Sequence, residues 1–594
     1  MSGLLQQAVA AHQSNRLDDA ERLYREVLAA EPRQADALAL LGTVLAIKGD
    51  NESAIGLIEK AIAVDPQSAL FPFHLGNVLM NMKKLDAAIM AFRASIVLQP
   101  QFAPVHYNLA NALRASGDWA GAADAYRTAI QHNPNYAEAY NNLALTLVHE
   151  KQLDAALVQA KKAVEAAPTY GDGWLTLCNI AEQVKDYPLA LAAGERNVQL
   201  QPDNHSAWFG YGVALNRVDR NEEALQAYKR ALEIKPDRAD IWDNLGQTYQ
   251  SMNRLAEAED TFRKTVEVAG QTIANEDNRE VDEKEYGNRH WHLALIELLR
   301  GKYPQGFARY RSRFKEVGGL TRPSFSRPLW KGESLNGKTI LITDEQGFGD
   351  TLMLARYLPL LKQQGARIIF SVHPVLKPLF EGWSSVDQII VHGMGVPPYD
   401  TYASVFDLPH LLKTTLETIP NNVPYLPLLD PDTRLESSSK PKVGVVWGGN
   451  PLHSNDVRRS VPLAVFAPLF ANDKVQFYSF NRDMRPGDED LLAQASVINL
   501  APKLKNFADA ARFTQQMDLI ITVDTATAHL AGGLGKKTWT LLPFAPDWRW
   551  LTDRDDSPWY PHMRLFRQDR PSDWAGVVER VKAALTHLVI SPRS

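Results

Sequence analysis

This sequence has little sulfur, no long apolar run and no excess of positive charge. A single cysteine, Cys178, stands among 594 residues, which excludes an internal disulfide and fits a reducing compartment. No stretch of about 18 consecutive apolar residues occurs, so no helix is expected to span a bilayer. Residues 1–17 mix Gln, His, Ser and Arg in a helical pattern and lack the apolar centre of a signal peptide; the expected location is the cytoplasm. A net charge of -5 argues against nucleic acid as the main partner, because neutralising phosphates takes a basic surface. The remaining composition, 45% apolar and 22% charged, is that of an ordinary soluble globular protein, and the length suggests about four domains.

The first part of the chain is periodic. Proline recurs every 34 residues at Pro32, Pro66, Pro100, Pro134, Pro168, Pro202 and Pro236. Alanine keeps the same period at Ala20, Ala54, Ala88, Ala122, Ala156, Ala190, Ala224 and Ala258, and a small residue fills another fixed slot at Gly42, Gly76, Ala110, Ala144, Cys178, Gly212 and Gly246. Two antiparallel helices that pack closely where side chains are small, with proline ending the second, account for this pattern. It resembles the tetratricopeptide repeat, about eight units over residues 1–268. Cys178 then occupies a small-residue slot and needs no chemical role.

Such an array is expected to form an all-α superhelix whose concave face binds an extended protein segment. Asn108, Asn142 and Asn244 share one register on the first helix of each unit, and Asn77, Asn111 and Asn179 share the register three residues later. Each amide offers a donor and an acceptor, so a row of them can bond a peptide backbone whatever its sequence. The pattern resembles the asparagine ladder of repeat-containing O-linked N-acetylglucosamine transferases, interrupted at Thr176 and Gly210.

Residues 269–331 read as an acidic, flexible linker (269–287) followed by one more helical hairpin and a proline-containing connector. His290 and His292 are two apart and do not share a helix face, so they are not expected to bind metal. Beyond this the pattern alternates strand and helix. Strands are expected at 339–343, 366–372 and 386–391 in a first α/β half (332–430), and at 443–447, 475–480, 518–523 and 538–542 in a second (431–594), with a final helix over 572–588. Two α/β halves joined by Pro420, Pro424, Pro427 and Pro431 suggest facing nucleotide-type folds, with ligands bound outside the carboxyl ends of the strands.

Three loops follow strands. The first, Gly347-Phe-Gly-Asp350, opens a helix, where backbone N–H groups and the helix dipole can meet an anion; its glycines are expected to allow a sharp turn and Asp350 to sit at the helix start. The second, 447–460, offers Trp447, Gly448, Gly449, Asn450, His453, Arg458 and Arg459, and guanidinium groups suit a diphosphate because they donate in pairs. The third runs from Asp524 through Thr525 and Ala526 to His529; Asp524 is expected to cap a small-residue helix, and His529 either lines a phosphate or sugar site or packs in the core. Asp430-Pro-Asp432 has a metal-like spacing but lies in the connector, and no metal is expected.

The Gly-x-Gly-Asp at Asp350 and the Asp-Thr-x-x-x-His at Asp524 to His529 resemble the heptosyltransferase family of GT-B glycosyltransferases. The repeats together with EQGFGDTLMLARY, VVWGGNPLHSNDVRRS, VDTATAHLAGGLGKKTWTLLP and DWRWLTDRDDSPWYPHMRLFRQ resemble bacterial repeat-fused glycosyltransferases, flagellin-modifying ones included. The resemblance implies a GT-B type fold of two facing Rossmann-like halves and a metal-independent transfer of sugar from a nucleotide-sugar, which is a substrate rather than a cofactor. It implies Asp350 as general base or acceptor-positioning group, and places the donor at Gly347, Gly349 and the loops of the second half. A helix N-terminus should lower the pKa of Asp350 and weaken it as a base. The expected acceptor is a Ser or Thr hydroxyl of a protein held by the repeats, flagellin in the first instance. A lipid-linked or polysaccharide acceptor, or a non-catalytic repeat adaptor, are the alternatives; the sugar, the nucleotide and the stereochemistry of transfer stay open.

Overall fold

The computed structural model describes residues 2–275, 279–313, 325–431, 434–452 and 455–587; the candidate His453 and the connector's Asp432 fall outside them. The chain divides into two compact units, residues 1–237 and 238–594.

The first unit is an all-α tetratricopeptide-repeat superhelix, a succession of antiparallel helix pairs from Ser2–Gln13 to Asn221–Ile234. The small-residue slot is a steric requirement. A Cβ on Gly76 would lie 2.4 Å from the Phe92 ring, one on Gly212 2.6 Å from Tyr228, and one on Gly42 2.7 Å from Ile58. The large residue facing each slot comes from the second helix of the same pair and is fully buried, so the helix axes close until side chain meets backbone. The prolines fall just past the second helices, as at Pro66 after Asn51–Val64.

The second unit opens with the hairpin Ala239–Ser251 and Leu255–Asn275, then a second hairpin, Arg279–Leu299 and Tyr303–Tyr310. The stretch 269–287, expected to be a flexible insertion, is instead helical up to Asn275 and again from Arg279. Its Glu, Lys, Ala and Val are good or tolerated helix residues, and high charge alone does not break a helix.

Two parallel sheets follow. The first contains β1 (Thr339–Thr343), β2 (Arg367–Val372), β3 (Gln388–Val391) and β4 (Thr401–Ser404) in the order β3-β2-β1-β4. The second contains β5 (Lys442–Val446), β6 (Gln476–Ser479), β7 (Val497–Asn499), β8 (Leu519–Val523), β9 (Thr538–Leu542) and β10 (Met563–Arg567) in the order β10-β9-β8-β5-β6-β7. The central strands β5, β8 and β9 are buried along their whole length, and β8 is mostly Leu, Ile and Val, as a helix-covered parallel sheet requires. Strands β4, β7 and β10 were not expected. They are edge strands, and β7 has three residues while β10 carries Arg564 and Arg567 in five positions, which weakens the apolar signal. In each sheet the winding reverses beside the first strand: β1 lies between β2 and β4, and β5 between β6 and β8. Crevices for ligands form at such reversals, and the three loops singled out above leave β1, β5 and β8.

Candidate functional site

The loop after β1 turns at Gln346, whose φ of 62° is left-handed, while Gly347 is extended at φ -82°. The turn therefore does not depend on the glycines, contrary to expectation. Gly349 serves close packing: a Cβ there would lie 2.7 Å from the His529 ring and 3.3 Å from the Ala526 backbone, so the helix Phe348–Leu354 lies directly on the helix Ala526–Gly533 of the second half. Asp350 occupies the third position of its helix, and one carboxylate oxygen accepts the Gly347 N–H at 3.0 Å. The other pairs with the Arg549 guanidinium. Burial outweighs both the helix terminus and Arg549, so the Asp350 pKa moves up rather than down.

Arg549 lies in the short 3-10 turn Trp548–Trp550, capped by Asp547, which accepts the Arg549 backbone N–H at 3.0 Å and its guanidinium at 2.6 Å. Asp524 borders the same cluster. Burial, then the nearby Asp547 charge, pushes its carboxyl up to about 6, against the pull of Arg549 and Arg459. Asp350 and Asp547 thus pair with one guanidinium where the two halves meet, and Asp524 lies within its electrostatic reach. Asp524 is not the helix cap; Thr525 holds that position, its hydroxyl 3.2 Å from that of Thr522. His529 is 4% exposed, stacks on Trp550 at 5.3 Å and bonds Tyr560 through Nδ1 at 2.8 Å. Burial lowers its pKa well below the ordinary value and keeps it neutral. It packs where the two halves meet, between Trp550 and Tyr560.

The loop after β5 is more internally bonded than expected. Trp447 is 1% exposed, packs on Phe466 and donates to Asp488 at 3.2 Å, which makes it a core residue because the strand run continues into the sheet interior. The Gly448 and Gly449 N–H groups are already taken, by Asn481 at 2.9 Å and Ser460 at 3.0 Å. Asn450 is exposed and caps its own loop at Leu452. Arg458 points outward, whereas Arg459 is half-buried against Gly449, whose Cβ would lie 2.9 Å from its guanidinium. Arg485, not singled out from sequence, approaches Gly448 and pairs with buried Asp456, which also lies 3.8 Å from Arg459. Two arginines from separate loops flank one glycine pair.

The hairpin before β1 buttresses this region. Tyr310 donates to Gln346 at 3.0 Å and stacks on Phe406 at 5.0 Å; fully buried Arg313 pairs with Glu345 at 2.8 Å and with Asp407 at 3.3 Å. Tyr303 stacks on Trp559 at 5.7 Å and accepts its indole N–H at 3.1 Å. Arg356 donates to the Trp559 carbonyl at 2.6 Å and the Pro420 carbonyl at 3.1 Å, tying the first half to the second. Among the described residues no group of three or more His, Cys, Asp or Glu is arranged to hold a metal ion, and no helix is long and apolar enough to cross a membrane.

In the repeat unit the amides partly satisfy one another. Asn108 donates to Asn77 at 2.7 Å, and Asn142 donates to Asn111 at 3.2 Å and to the Tyr107 hydroxyl at 3.0 Å. Asn179 is exposed. Asn244 lies in the second unit and donates to the Asp240 carbonyl at 2.9 Å.

Tetratricopeptide repeat profiles match residues 5–69, 48–103 and 107–171, and further TPR repeat profiles match 219–253 and 239–272. The array is therefore made of tetratricopeptide repeats, which typically bind protein partners. Protein FlbA of Caulobacter vibrioides is 28% identical over 335 residues, covering 50% of this chain and 55% of FlbA, so the chain spans about half the length of that relative. Among solved structures, MamA is 28% identical, covering 27% of this chain and 93% of MamA at a TM-score of 0.25. YrrB, a TPR protein with an unusual peptide-binding site, is 25% identical, covering 30% of this chain and 92% of YrrB at a TM-score of 0.28.

Proposed function

We propose that the protein is a GT-B type glycosyltransferase: the second unit binds a nucleotide-sugar, and the repeats hold the protein whose Ser or Thr hydroxyl is modified. The observation that carries this reading is the meeting of Asp350, from the reversal point of the first sheet, with Arg549, Asp524 and Asp547 of the second. Loops at the reversal points of open α/β sheets, such as those of Asp350 and Asp524, are where such enzymes bind charged ligands.

In this reading Arg459 and Arg485 donate to the diphosphate, joined by the N-terminal amides of the helix Ala526–Gly533. The acceptor hydroxyl attacks the anomeric carbon, the bond from that carbon to the diphosphate oxygen breaks, and Asp350 helps to orient the acceptor side of the site. Guanidinium groups and helix amides stabilise the leaving diphosphate without a metal. Flagellin is the acceptor that the sequence resemblance favours, held through the amides at Asn77, Asn108, Asn111 and Asn142.

A thermal-shift panel of nucleotide-sugars tests the donor half of the reading. A true donor at about 100 times its Kd should stabilise the second unit by roughly 2.7 kcal/mol. If no member of the panel stabilises it, the catalytic reading fails and protein binding by the repeats is what remains.

A further inference from the structure

The mechanism above leaves one charged cluster of the first sheet unused. Asp344, directly after β1, has a side chain 6% exposed, yet among the described residues it pairs with no Lys or Arg. One oxygen accepts the His373 backbone N–H at 2.9 Å, just past β2, and the other meets Nε2 of His392, just past β3. The ends of three adjacent strands thus converge on one buried carboxylate. The His392 side chain is 47% exposed. With Nε2 turned to the carboxylate, Nδ1 is the nitrogen left to face a ligand, and the Asp344 contact fixes the orientation of the ring. The His373 ring stands 6.4 Å from that of His392 at 88°.

The cluster lies on the same loop as Asp350. Phe348, two residues before it, packs on His373 at 5.0 Å and on Phe507 of the second half at 5.4 Å, and the Phe507 N–H bonds the Val375 carbonyl at 3.2 Å. An aromatic wall shared by both halves therefore separates the Asp344 cluster from Asp350 along one turn of chain. Asp350 meanwhile has each oxygen engaged, with Gly347 and Arg549.

We propose that His392, held by Asp344, is the group that receives the proton of the acceptor hydroxyl, with Phe348 and Phe507 forming the apolar side of the acceptor subsite. This deepens the transferase reading and rests on it. In the step, the acceptor oxygen bonds the anomeric carbon of the nucleotide-sugar, its proton passes to His392 Nδ1, and the nucleoside diphosphate leaves with the electron pair of the broken C–O bond. Asp350 then keeps Arg549 and the domain junction in place.

The test uses the full chain with water as the simplest acceptor. Release of nucleoside diphosphate from a panel of nucleotide-sugars is followed for the wild type, His392→Ala and Asp344→Asn, beside the thermal shift given by the nucleoside diphosphate alone. The expected result is a loss of about 100-fold or more in release for His392→Ala with an unchanged thermal shift, and partial recovery on adding free imidazole, which the exposed position admits. Release by His392→Ala at the wild-type rate overturns the proposal while leaving the transferase reading intact. Slow release that imidazole does not restore also overturns it, since a merely structural histidine behaves that way. Absence of release by the wild type with every donor overturns the transferase reading itself. The His392 side chain is about half exposed, so its variant is expected to keep the fold even if Asp344→Asn does not.

Discussion

Arg549 of the second α/β half and Asp350 of the first form an ion pair across the junction of the two sheets. Each has another partner: Asp350 accepts the Gly347 N–H, and Arg549 donates to Asp547 at 2.6 Å. The two are not equivalent, however, because Arg549 is the guanidinium that Asp350, Asp524 and Asp547 all feel.

Arg549→Ala is therefore expected to destabilise the second unit by about 3–5 kcal/mol, the cost of leaving buried charge uncompensated. Asp350→Asn should cost clearly less, since Arg549 keeps Asp547. Urea denaturation of the two variants checks this, and equal losses would show that the cluster does not depend on the guanidinium.

The pH dependence has a definite sign. Asp524 has its pKa raised from 3.8 to about 6 on folding, so the folded state holds this proton more tightly than the unfolded one. The stability it contributes is complete below about pH 4 and is lost as pH rises through 6. Asp524→Asn should leave stability at pH 4 near that of the wild type and raise it at pH 7.5 by up to about 3 kcal/mol. Denaturant midpoints at the two pH values measure the difference; a variant less stable than wild type at pH 7.5 would contradict it.

Nucleotide binding should separate the arginines. Arg459→Ala combined with Arg485→Ala is expected to abolish the nucleoside-diphosphate thermal shift, whereas Arg458→Ala, which removes an exposed side chain, should change it little. A larger effect at Arg458 would restore the assignment that sequence spacing alone favoured.

Gly349→Ala tests the helix contact. Its Cβ would meet the His529 ring at 2.7 Å, and His529 is locked between Trp550 and Tyr560, so the helices must separate. Overpacking of this kind costs about 1–3 kcal/mol, read as a lowered melting temperature, while Gly347→Ala should be far milder because its Cβ would meet only the Asp350 carboxylate.

The sequence made the repeats legible because a 34-residue period is written over and over, and made the sheet cores legible because strands buried on both faces are continuous apolar runs. Asp350 and Asp524 were visible at strand ends beside glycine or alanine. Arg549 was not, since its contact with Asp350 spans 199 positions and its local signal is only a charged Asp-x-Arg between two tryptophans. Arg485 and the Asp344–His392 pair were hidden for the same reason: each joins residues from separate strand ends that only the sheet order brings together. Trp447 and His529 misled because an aromatic or imidazole beside a glycine loop looks the same in sequence whether it faces a ligand or the core.

The position of the domain boundary gives the last prediction. The hairpin Arg279–Leu299 and Tyr303–Tyr310 lies between repeats and sheets in the sequence, and by sequence alone a cut near residue 324 is expected to release the α/β region intact. The contacts argue otherwise. Arg313 is fully buried between Glu345 and Asp407, Tyr310 bonds Gln346 on the glycine loop, and Tyr303 covers Trp559. Removing the hairpin would strip Glu345 and Asp407 of the guanidinium between them and expose Phe406 and Trp548 to water, a loss of several kcal/mol from charge and packing together. A fragment of residues 238–594, cut at the division between the two units, should therefore fold cooperatively and bind nucleotide-sugar, whereas one of residues 324–594 should aggregate or melt early. Residues 1–237 should bind the acceptor protein without any nucleotide-sugar, through the amides of Asn77, Asn108, Asn111 and Asn142. Binding energy made by the repeats can position the reacting hydroxyl without adding chemistry, so the 238–594 fragment should bind donor yet modify the intact acceptor far more slowly than the full chain. Melting curves of the fragments 238–594 and 324–594, pull-down with 1–237 and a transfer assay with 238–594 read these outcomes. Modification by 238–594 at the full-chain rate would show that the repeats do not select the acceptor.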